Sequence, residues 1–335
     1  MIDTVFNKLA GRTPKLATGL AYSQHGLSPE LRVQGPLWNG SKQRVPVDAN
    51  WHIGSITKTF TATMAMQLVE RGALDLDAPI SEYLVDRKTV HPEVRATTMR
   101  RLLSHSSGIA ANPSMNELSL WRDQAPDVGR FNILKPYMAN ALPHERGQHL
   151  YSNLGYMLAG HILEQITGSP WEAQVVSEIA KPLGLKSLGF GAPEGDRDPR
   201  GHRRTLFRST SVDPKTGTSD NPPWLGPAGT LHLSLPDLVT YGQAHLKAAN
   251  EGRLGFLSKP SSALMRTEVA SNYGLGWVRQ GDVFWHNGSN SMWYALLTID
   301  PKSNHVVALV QNSYQHSRRI DNAAREILEQ LQRAS

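Results

Sequence analysis

Apolar positions recur with helical spacing near both ends of the chain. Residues 2–9 and residues 320–331 each place their large apolar side chains on one face of a helix, with polar residues on the other face. Residues 57–71 differ, because Phe60, Met64 and Leu68 are joined by further apolar residues and little polar face remains. We predict two amphipathic helices that cover a core and one helix that lies inside it.

Short apolar runs bounded by turn residues predict strands in the same two parts of the chain. The predicted strands are residues 17–24, 31–35, 277–280, 283–286, 294–300 and 305–311. We expect the first two to be neighbours in an antiparallel sheet. The last four should form successive hairpins, because the connections between them are short and rich in turn residues.

The middle of the chain, residues 75–221, has helical patterns interrupted by Pro and Gly loops and few convincing strands. The order helix, strands, helical block, strands, helix predicts an α+β fold. In this α/β sandwich an antiparallel sheet is flanked by the N- and C-terminal helices. Residues 1–74 and 222–335 would form the sheet domain, and residues 75–221 a mostly helical inserted domain. We expect the functional site in the cleft where the two meet.

Composition excludes several classes of function. Lys and Arg number 35 against 29 Asp and Glu, and a net charge of +6 spread over 335 residues is too diffuse for a dedicated nucleic-acid binder. The chain has no cysteine, which excludes disulfides and a cysteine nucleophile. No run approaches the roughly 20 apolar residues that a membrane span needs. We therefore expect a small-molecule partner, with no nucleic acid and no membrane span.

The N-terminal residues predict a packing helix and not a signal peptide, because they lack a basic segment followed by an apolar block. A chain whose leader had been removed would look the same. The location is therefore left open: cytoplasmic as written, periplasmic or secreted if a leader was removed. The sequence also leaves the oligomeric state open.

Two short motifs carry residues suited to acyl transfer. Ser55 and Lys58 form a Ser-x-x-Lys pair at a predicted helix start, where their spacing places hydroxyl and amine on one face. A serine hydroxyl needs a nearby base to become a nucleophile, and a desolvated lysine can supply it.

Tyr151 and Asn153 form a Tyr-x-Asn motif at the start of a predicted helix over residues 151–167. The phenol can shuttle a proton, and the amide can bind a substrate carbonyl while accepting from the lysine.

A third motif, His286-Asn287-Gly288-Ser289, ends a predicted strand, and Gly288 would let a substrate approach the backbone closely. Two other segments spell related patterns and are set aside. Residues 215–217 read Lys-Thr-Gly, but they lie in a turn-rich stretch without a strand. Residues 52–54 read His-Ile-Gly, but they directly precede Ser55 and cannot form an opposite wall of the cleft.

Taken in this order, the three motifs resemble those of the serine beta-lactamase and penicillin-binding protein superfamily. Tyr-Ser-Asn in place of Ser-Asp-Asn is typical of its class C beta-lactamase, DD-peptidase, D-aminopeptidase and beta-lactamase-like esterase branch. The resemblance spans about residues 15–335. Three further segments look like those of the family, namely residues 102–108, 226–230 and 273–277.

The resemblance implies a role for each motif residue. Ser55 would be the nucleophile, Lys58 and Tyr151 the base pair, and Asn153 the group that binds the substrate amide. No cofactor and no metal would be needed. Which of Lys58 and Tyr151 holds the proton stays open, because two strongly interacting groups titrate as a pair.

The far wall of the cleft would come from His286 and Gly288. The oxyanion hole would be the backbone N–H groups of Ser55 and Ser289, one at a helix start and one on the strand edge facing it.

The third motif also bears on the substrate. Beta-lactamases of the superfamily usually have lysine there, whereas His286 would be largely neutral near pH 7. We therefore interpret the chain as a carboxylesterase acting through an acyl-serine on Ser55, with weak beta-lactamase activity. The alternatives are a D-amino-acid-specific peptidase and, in a different class, a non-catalytic penicillin-binding sensor. Four tryptophans, residues 224, 277, 285 and 293, are candidates for an apolar acyl pocket, with core packing as the alternative.

Overall fold

The computed structural model describes residues 2–24, 26–204 and 209–334. Its strands, numbered along the chain, are β1 (Thr18–Gln24), β2 (Glu30–Gln34), β3 (Asn50–His52), β4 (Gly189–Phe190), β5 (His202–Arg204), β6 (Ser209–Ser211), β7 (Leu231–Ser234), β8 (Val278–Gln280), β9 (Val283–Ser289), β10 (Tyr294–Asp300) and β11 (His305–Gln311). The six predicted strands are all present, and β10 and β11 have the predicted bounds.

The helices, numbered in the same way, are α1 (Ile2–Gly11), α2 (Thr57–Glu70), α3 (Pro92–Arg95), α4 (Met99–Leu103), α5 (Pro126–Ala139), α6 (Asn153–Thr167), α7 (Trp171–Gln174), α8 (Lys181–Leu183), α9 (Gly226–Gly229), α10 (Leu235–Asn250), α11 (Lys259–Arg266) and α12 (Ser317–Ala334). A π-helical segment, Val175–Ala180, joins α7 to α8. No helix within the described residues is both long and apolar enough to cross a membrane.

The main sheet joins the two ends of the chain. Its strand order is β2-β1-β11-β10-β9-β8, and every pairing is antiparallel. The predicted neighbours β1 and β2 are paired, and β8 to β11 form successive hairpins as expected. The sheet is complete only when β11 pairs with β1, so the fold requires contacts between residues nearly 300 positions apart.

Each face of the main sheet is covered by helices. On one face α1 and α12 pack through buried apolar residues, among them Phe6, Ile320 and Ile327. On the other face α10 lies against β1, β10 and β11, and α2 lies beyond it among fully buried residues such as Phe60. The α+β sandwich predicted from the sequence is confirmed.

Two short strands that the sequence did not predict bring the site together. β3 lies just before Ser55, and it pairs with β7, which precedes α10. Strands of three and four residues are too short to show an alternating pattern, so the sequence predicted neither of them. β9 also continues to Ser289, three residues beyond its predicted end, because Asn287 and Gly288 keep pairing with β10.

Candidate active site

Ser55 lies at the junction between β3 and α2. The chain leaves β3, turns at Gly54 with a φ of +51°, and forms a single 3-10 turn over Gly54–Ile56 before α2 begins. Ile53 and Ile56 are fully buried on either side and anchor this turn. Ser55 itself is partly exposed, so a substrate can reach its hydroxyl.

Lys58 lies one helical turn further on and is fully buried. Its Nζ is 3.1 Å from Ser55 Oγ, 2.7 Å from Asn153 Oδ1 and 2.6 Å from the carbonyl oxygen of Ala228. Burial lowers the pKa of Lys58 well below its usual value. No carboxylate in the described part of the chain forms an ion pair with it.

All three partners of Lys58 Nζ can accept a hydrogen bond. A carbonyl oxygen and an amide oxygen can only accept, so Lys58 donates in the two shorter contacts. In the longer contact Lys58 Nζ donates to Ser55 Oγ. Burial favours the uncharged form of Lys58, and an uncharged amine at this distance can accept the proton of Ser55 Oγ.

Tyr151 covers Lys58 from the solvent side. Its ring centroid is 4.8 Å from Nζ of Lys58, and its side chain is 38% exposed although the hydroxyl end lies inward against Ser55. Burial of this hydroxyl raises the pKa of Tyr151 above its usual value, and the interaction with Ser55 opposes the shift only in part. Tyr151 is therefore a protonated phenol, complementary to a neutral lysine.

The Tyr-x-Asn segment is held by the start of α6 and by His105. The helix begins at Asn153 and not at Tyr151 as predicted, because Ser152 is the N-cap and its Oγ accepts from Gly155 N–H at 2.8 Å. His105 accepts from Ser152 N–H at 3.0 Å, and its ring lies 4.2 Å from that of Tyr151. His105 falls in the family-like segment 102–108, but no pattern in the sequence predicted this role.

The Asn153 amide has a defined orientation. Its Oδ1 accepts from Lys58, and its Nδ2 donates to Asn112 Oδ1 at 2.6 Å. One N–H of Asn153 remains for a substrate carbonyl. Asn112 is exposed on the loop before α5, and sequence reasoning missed it because it belongs to no motif.

The ends of β9 and β3 meet in a backbone contact that only glycine allows. A Cβ on Gly288 would lie 2.0 Å from the oxygen of Ile53 and 2.3 Å from the nitrogen of Ser55, and one on Gly54 would lie 2.1 Å from the nitrogen of Ser289. The structure therefore brings the backbone nitrogens of Ser55 and Ser289 to the same edge of the cleft. Two adjacent N–H groups are what an oxyanion hole requires.

His286, expected to form the far wall of the cleft, is buried and held by two hydrogen bonds. It is 2% exposed, its Nδ1 is 2.5 Å from the carbonyl oxygen of Asn287, and its Nε2 is 2.9 Å from the hydroxyl of Tyr273. Because a carbonyl only accepts, we assign the proton to Nδ1, and Tyr273 then donates to Nε2. Burial lowers the pKa of His286 to about 3, so the ring is neutral near pH 7.

Other sequence features lie away from the nucleophile or face the core. Lys215 lies in an exposed turn, as expected for the Lys-Thr-Gly segment that was set aside. Trp224, Trp277 and Trp293 are at most 1% exposed, and Trp285 faces α12, so of the two alternatives the structure shows core packing. These rings pack the core because they fall on inward positions of strands and turns.

The fold and the clustered side chains together are typical of serine hydrolases that form an acyl-enzyme. The chain belongs to the beta-lactamase family, whose model, described as Beta-lactamase, matches residues 32–332. The relatives similar to this chain in sequence include a penicillin-binding protein and an esterase.

Three similar proteins illustrate the range. Penicillin-binding protein 4 of Amycolatopsis lactamdurans is 29% identical over 320 residues, covering 89% of this chain and 81% of the relative. Esterase EstB of Burkholderia gladioli is 27% identical over 208 residues, covering 58% of this chain and 52% of the esterase. The structure of D-amino acid amidase from Ochrobactrum anthropi SV3 with L-phenylalanine amide matches with a TM-score of 0.82 at 23% identity, covering 99% and 98% of the two chains, which shows the fold.

Proposed function

We propose that the chain is an acyl-transferring serine hydrolase, best suited to carboxylic esters, in which Ser55 is the nucleophile. The observation that carries the proposal is the contact between Ser55 Oγ and the Nζ of a fully buried Lys58. Burial lowers the pKa of Lys58, and a lysine with a lowered pKa can act as the general base that a serine nucleophile needs.

Acylation would use the groups in turn. The proton of Ser55 Oγ moves to Lys58 Nζ as Oγ bonds to the carbonyl carbon, and the carbonyl oxygen becomes an oxyanion held by the N–H groups of Ser55 and Ser289. When the C–O bond of the ester breaks, Tyr151 gives its proton to the leaving oxygen and regains one from Lys58. Water then repeats the sequence on the acyl-Ser55 and releases the acid.

The neutral state of His286 supports esters over substrates held by a carboxylate. A buried imidazole with its pKa lowered to about 3 carries no charge near neutral pH. A fixed cation at this point of the strand would attract a substrate carboxylate, and His286 supplies none. We therefore expect weak turnover of beta-lactams, whose carboxylate needs such a partner.

A second candidate is a peptidase acting on D-amino-acid peptides. It is supported by the 29% identity to a penicillin-binding protein over 89% of this chain. Stoichiometric acylation by a beta-lactam without turnover of any substrate would instead support a penicillin-binding sensor.

The test is intact-protein mass spectrometry with parallel rate measurements. The protein is mixed with p-nitrophenyl esters, a chromogenic cephalosporin and D-alanyl-D-alanine peptides, and the Ser55→Ala variant is compared with Ser262→Ala, a buried serine on α11. We expect ester turnover and an acyl adduct that Ser55→Ala alone abolishes. Ester turnover that persists in Ser55→Ala would refute the nucleophile, and fast cephalosporin or peptide turnover without ester turnover would refute the preference for esters.

A further inference from the structure

A buried histidine–carboxylate pair lies directly behind the turn that carries Ser55. His52, the last residue of β3, is fully buried, and its Nδ1 accepts from Gly54 N–H at 3.0 Å. The proton of the neutral ring must then be on Nε2, which donates to Asp220 at 2.9 Å from Oδ1 and 3.1 Å from Oδ2. This chain of hydrogen bonds ties the backbone just before the nucleophile to one carboxylate.

The same carboxylate also accepts a hydrogen bond from the turn that follows β9. Asp220 Oδ1 also accepts from Nδ2 of Asn290, at 2.8 Å. Asn290 is 8% exposed and immediately follows Ser289, and its Oδ1 accepts from the N–H groups of Met292 and Trp293, each at 3.2 Å. Asn290 thus fixes the turn after β9 and links it to Asp220.

The segment that carries Asp220 is itself anchored. On one side Ser219 donates to the carbonyl oxygen of Pro214 at 2.6 Å, and on the other Asn221 donates to that of Gly229 at 2.8 Å. These two hydrogen bonds hold the Asp220 segment in place independently of the turn that carries Ser55 and of the turn after β9.

Burying this carboxylate is costly for stability alone. Its side chain is 8% exposed, and within the described residues its ion-pair contact is with His52 and not with an arginine or lysine. A buried anion without a full counter-charge contributes little net stability, whereas its charge strengthens each hydrogen bond that it accepts. An arrangement of this kind is better explained by the positions that it fixes than by stability.

We infer that His52, Asp220 and Asn290 are positioning residues for the oxyanion hole: they hold the N–H of Ser55 and the N–H of Ser289 at the spacing that the developing oxyanion needs. The inference rests on the proposed acyl transfer at Ser55. None of the three side chains touches the reacting atoms, and each acts through the backbone of a neighbouring residue.

Asp198 provides a matched control for Asp220. It is also 8% exposed, and it accepts from the backbone N–H of Asn50, at the other end of β3, and from that of Gly195, at 2.7 and 3.1 Å. Asp198→Ala and Asp220→Ala therefore remove comparable buried carboxylates near the same strand. Only Asp220→Ala also removes the hydrogen-bonded link from the Ser55 turn to the turn after β9.

The experiment compares ester kinetics with the affinity for a boronic acid, which places an oxygen in the oxyanion hole once it bonds to Ser55. We expect Asp220→Ala to lower kcat about 10²-fold, the scale of losing one oxyanion donor. It should weaken boronic acid binding by a similar factor, with KM changed less than threefold. Asp220→Asn should recover part of the loss, because an amide oxygen at the position of Oδ1 keeps the bond from Asn290 and lies 2.9 Å from His52 Nε2.

Asn290→Ala guards against a failure of Asp220→Ala to fold, since it removes the second link and leaves His52 and Asp220 paired. Thermal melting of every variant checks the fold. Equal losses of kcat in Asp198→Ala and Asp220→Ala would overturn the inference. Unchanged boronic acid affinity in both Asp220→Ala and Asn290→Ala would also overturn it. In either case ester turnover by the unmodified protein leaves the proposed function intact. If Ser55→Ala retains turnover, the proposed function fails first.

Discussion

Gly288 gives a sharp test of the cleft geometry because its contact is between two backbones. A methyl group on residue 288 would lie 2.0 Å from the oxygen of Ile53, whereas real Cβ contacts essentially never fall below 3.0 Å. Neither partner is a flexible side chain, so Gly288→Ala must move β9 away from the Ser55 turn by about 1 Å. The φ of Gly288 is not in the left-handed region, so separation of the two backbones is the effect that the substitution isolates.

This displacement separates the N–H of Ser289 from the N–H of Ser55. A misplacement of about 1 Å near the reacting atoms costs on the order of 10²-fold in rate, equivalent to about 2.7 kcal/mol of transition-state stabilisation. We expect kcat/KM for a p-nitrophenyl ester to fall by this factor, with a parallel slowing of Ser55 acylation measured by intact-protein mass spectrometry.

Gly35→Ala is the matched control. A Cβ there would also lie 2.0 Å from a backbone oxygen, that of Leu16, but Gly35 follows the edge strand β2, which three strands separate from β9. The φ of Gly35, +110°, adds backbone strain in the alanine variant. Gly35→Ala should therefore lose at least as much thermal stability as Gly288→Ala. The reasoning is refuted if folded Gly288→Ala keeps its rate within threefold, or if Gly35→Ala loses activity to the same extent.

Further predictions concern protonation. Lys58→Ala should lower kcat/KM at least 10³-fold, and the unmodified protein should lose activity as pH falls through the lowered pKa of Lys58, because protonation removes the base; a pH profile of kcat/KM checks this. Tyr151→Phe should cost about 10²–10⁴-fold in kcat, with the acid limb of that profile unmoved. Burial lowers the pKa of His286 and of His245 to about 3, so the unfolded chain binds these protons first. The free energy of unfolding should therefore reach its full value above about pH 6.5 and fall as pH drops toward 3, by up to about 1.4 kcal/mol per pH unit for each histidine. Urea unfolding at several pH values, with His245→Gln as comparison, measures this change.

Long elements were predictable from the sequence and short ones were not. β10 and β11 have the predicted bounds because each is a mostly apolar segment, buried along all seven residues and followed by turn residues or the end of the sheet. β3 and β7 have only three and four residues. Each is a strand because it pairs with the other, which lies far away in the sequence. A local pattern cannot report a partner of that kind.

The candidate site divides in the same way. Ser55 and Lys58 share one helix turn, so their contact followed from spacing alone. Asn112 and Asp220 reach the site from separate loops and belong to no motif. Tyr273 falls in the family-like segment 273–277, but nothing in the sequence predicted its contact with His286. The orientation of His286 was also beyond the sequence, because it depends on the hydroxyl of Tyr273.

In the proposed mechanism, burial without a counter-charge accounts for both the base and the substrate preference. Burial lowers the pKa of Lys58, which favours the uncharged amine, and it lowers the pKa of His286, which leaves no cation there for a substrate carboxylate. A lysine at position 286 would supply that cation, and its charge would depress the pKa of Lys58 further. With histidine there, we propose that the activation of Ser55 depends on desolvation by Tyr151 and the surrounding core, and that neutral groups such as the Asn153 amide bind the substrate. On this proposal an uncharged ester is preferred over a lactam carboxylate.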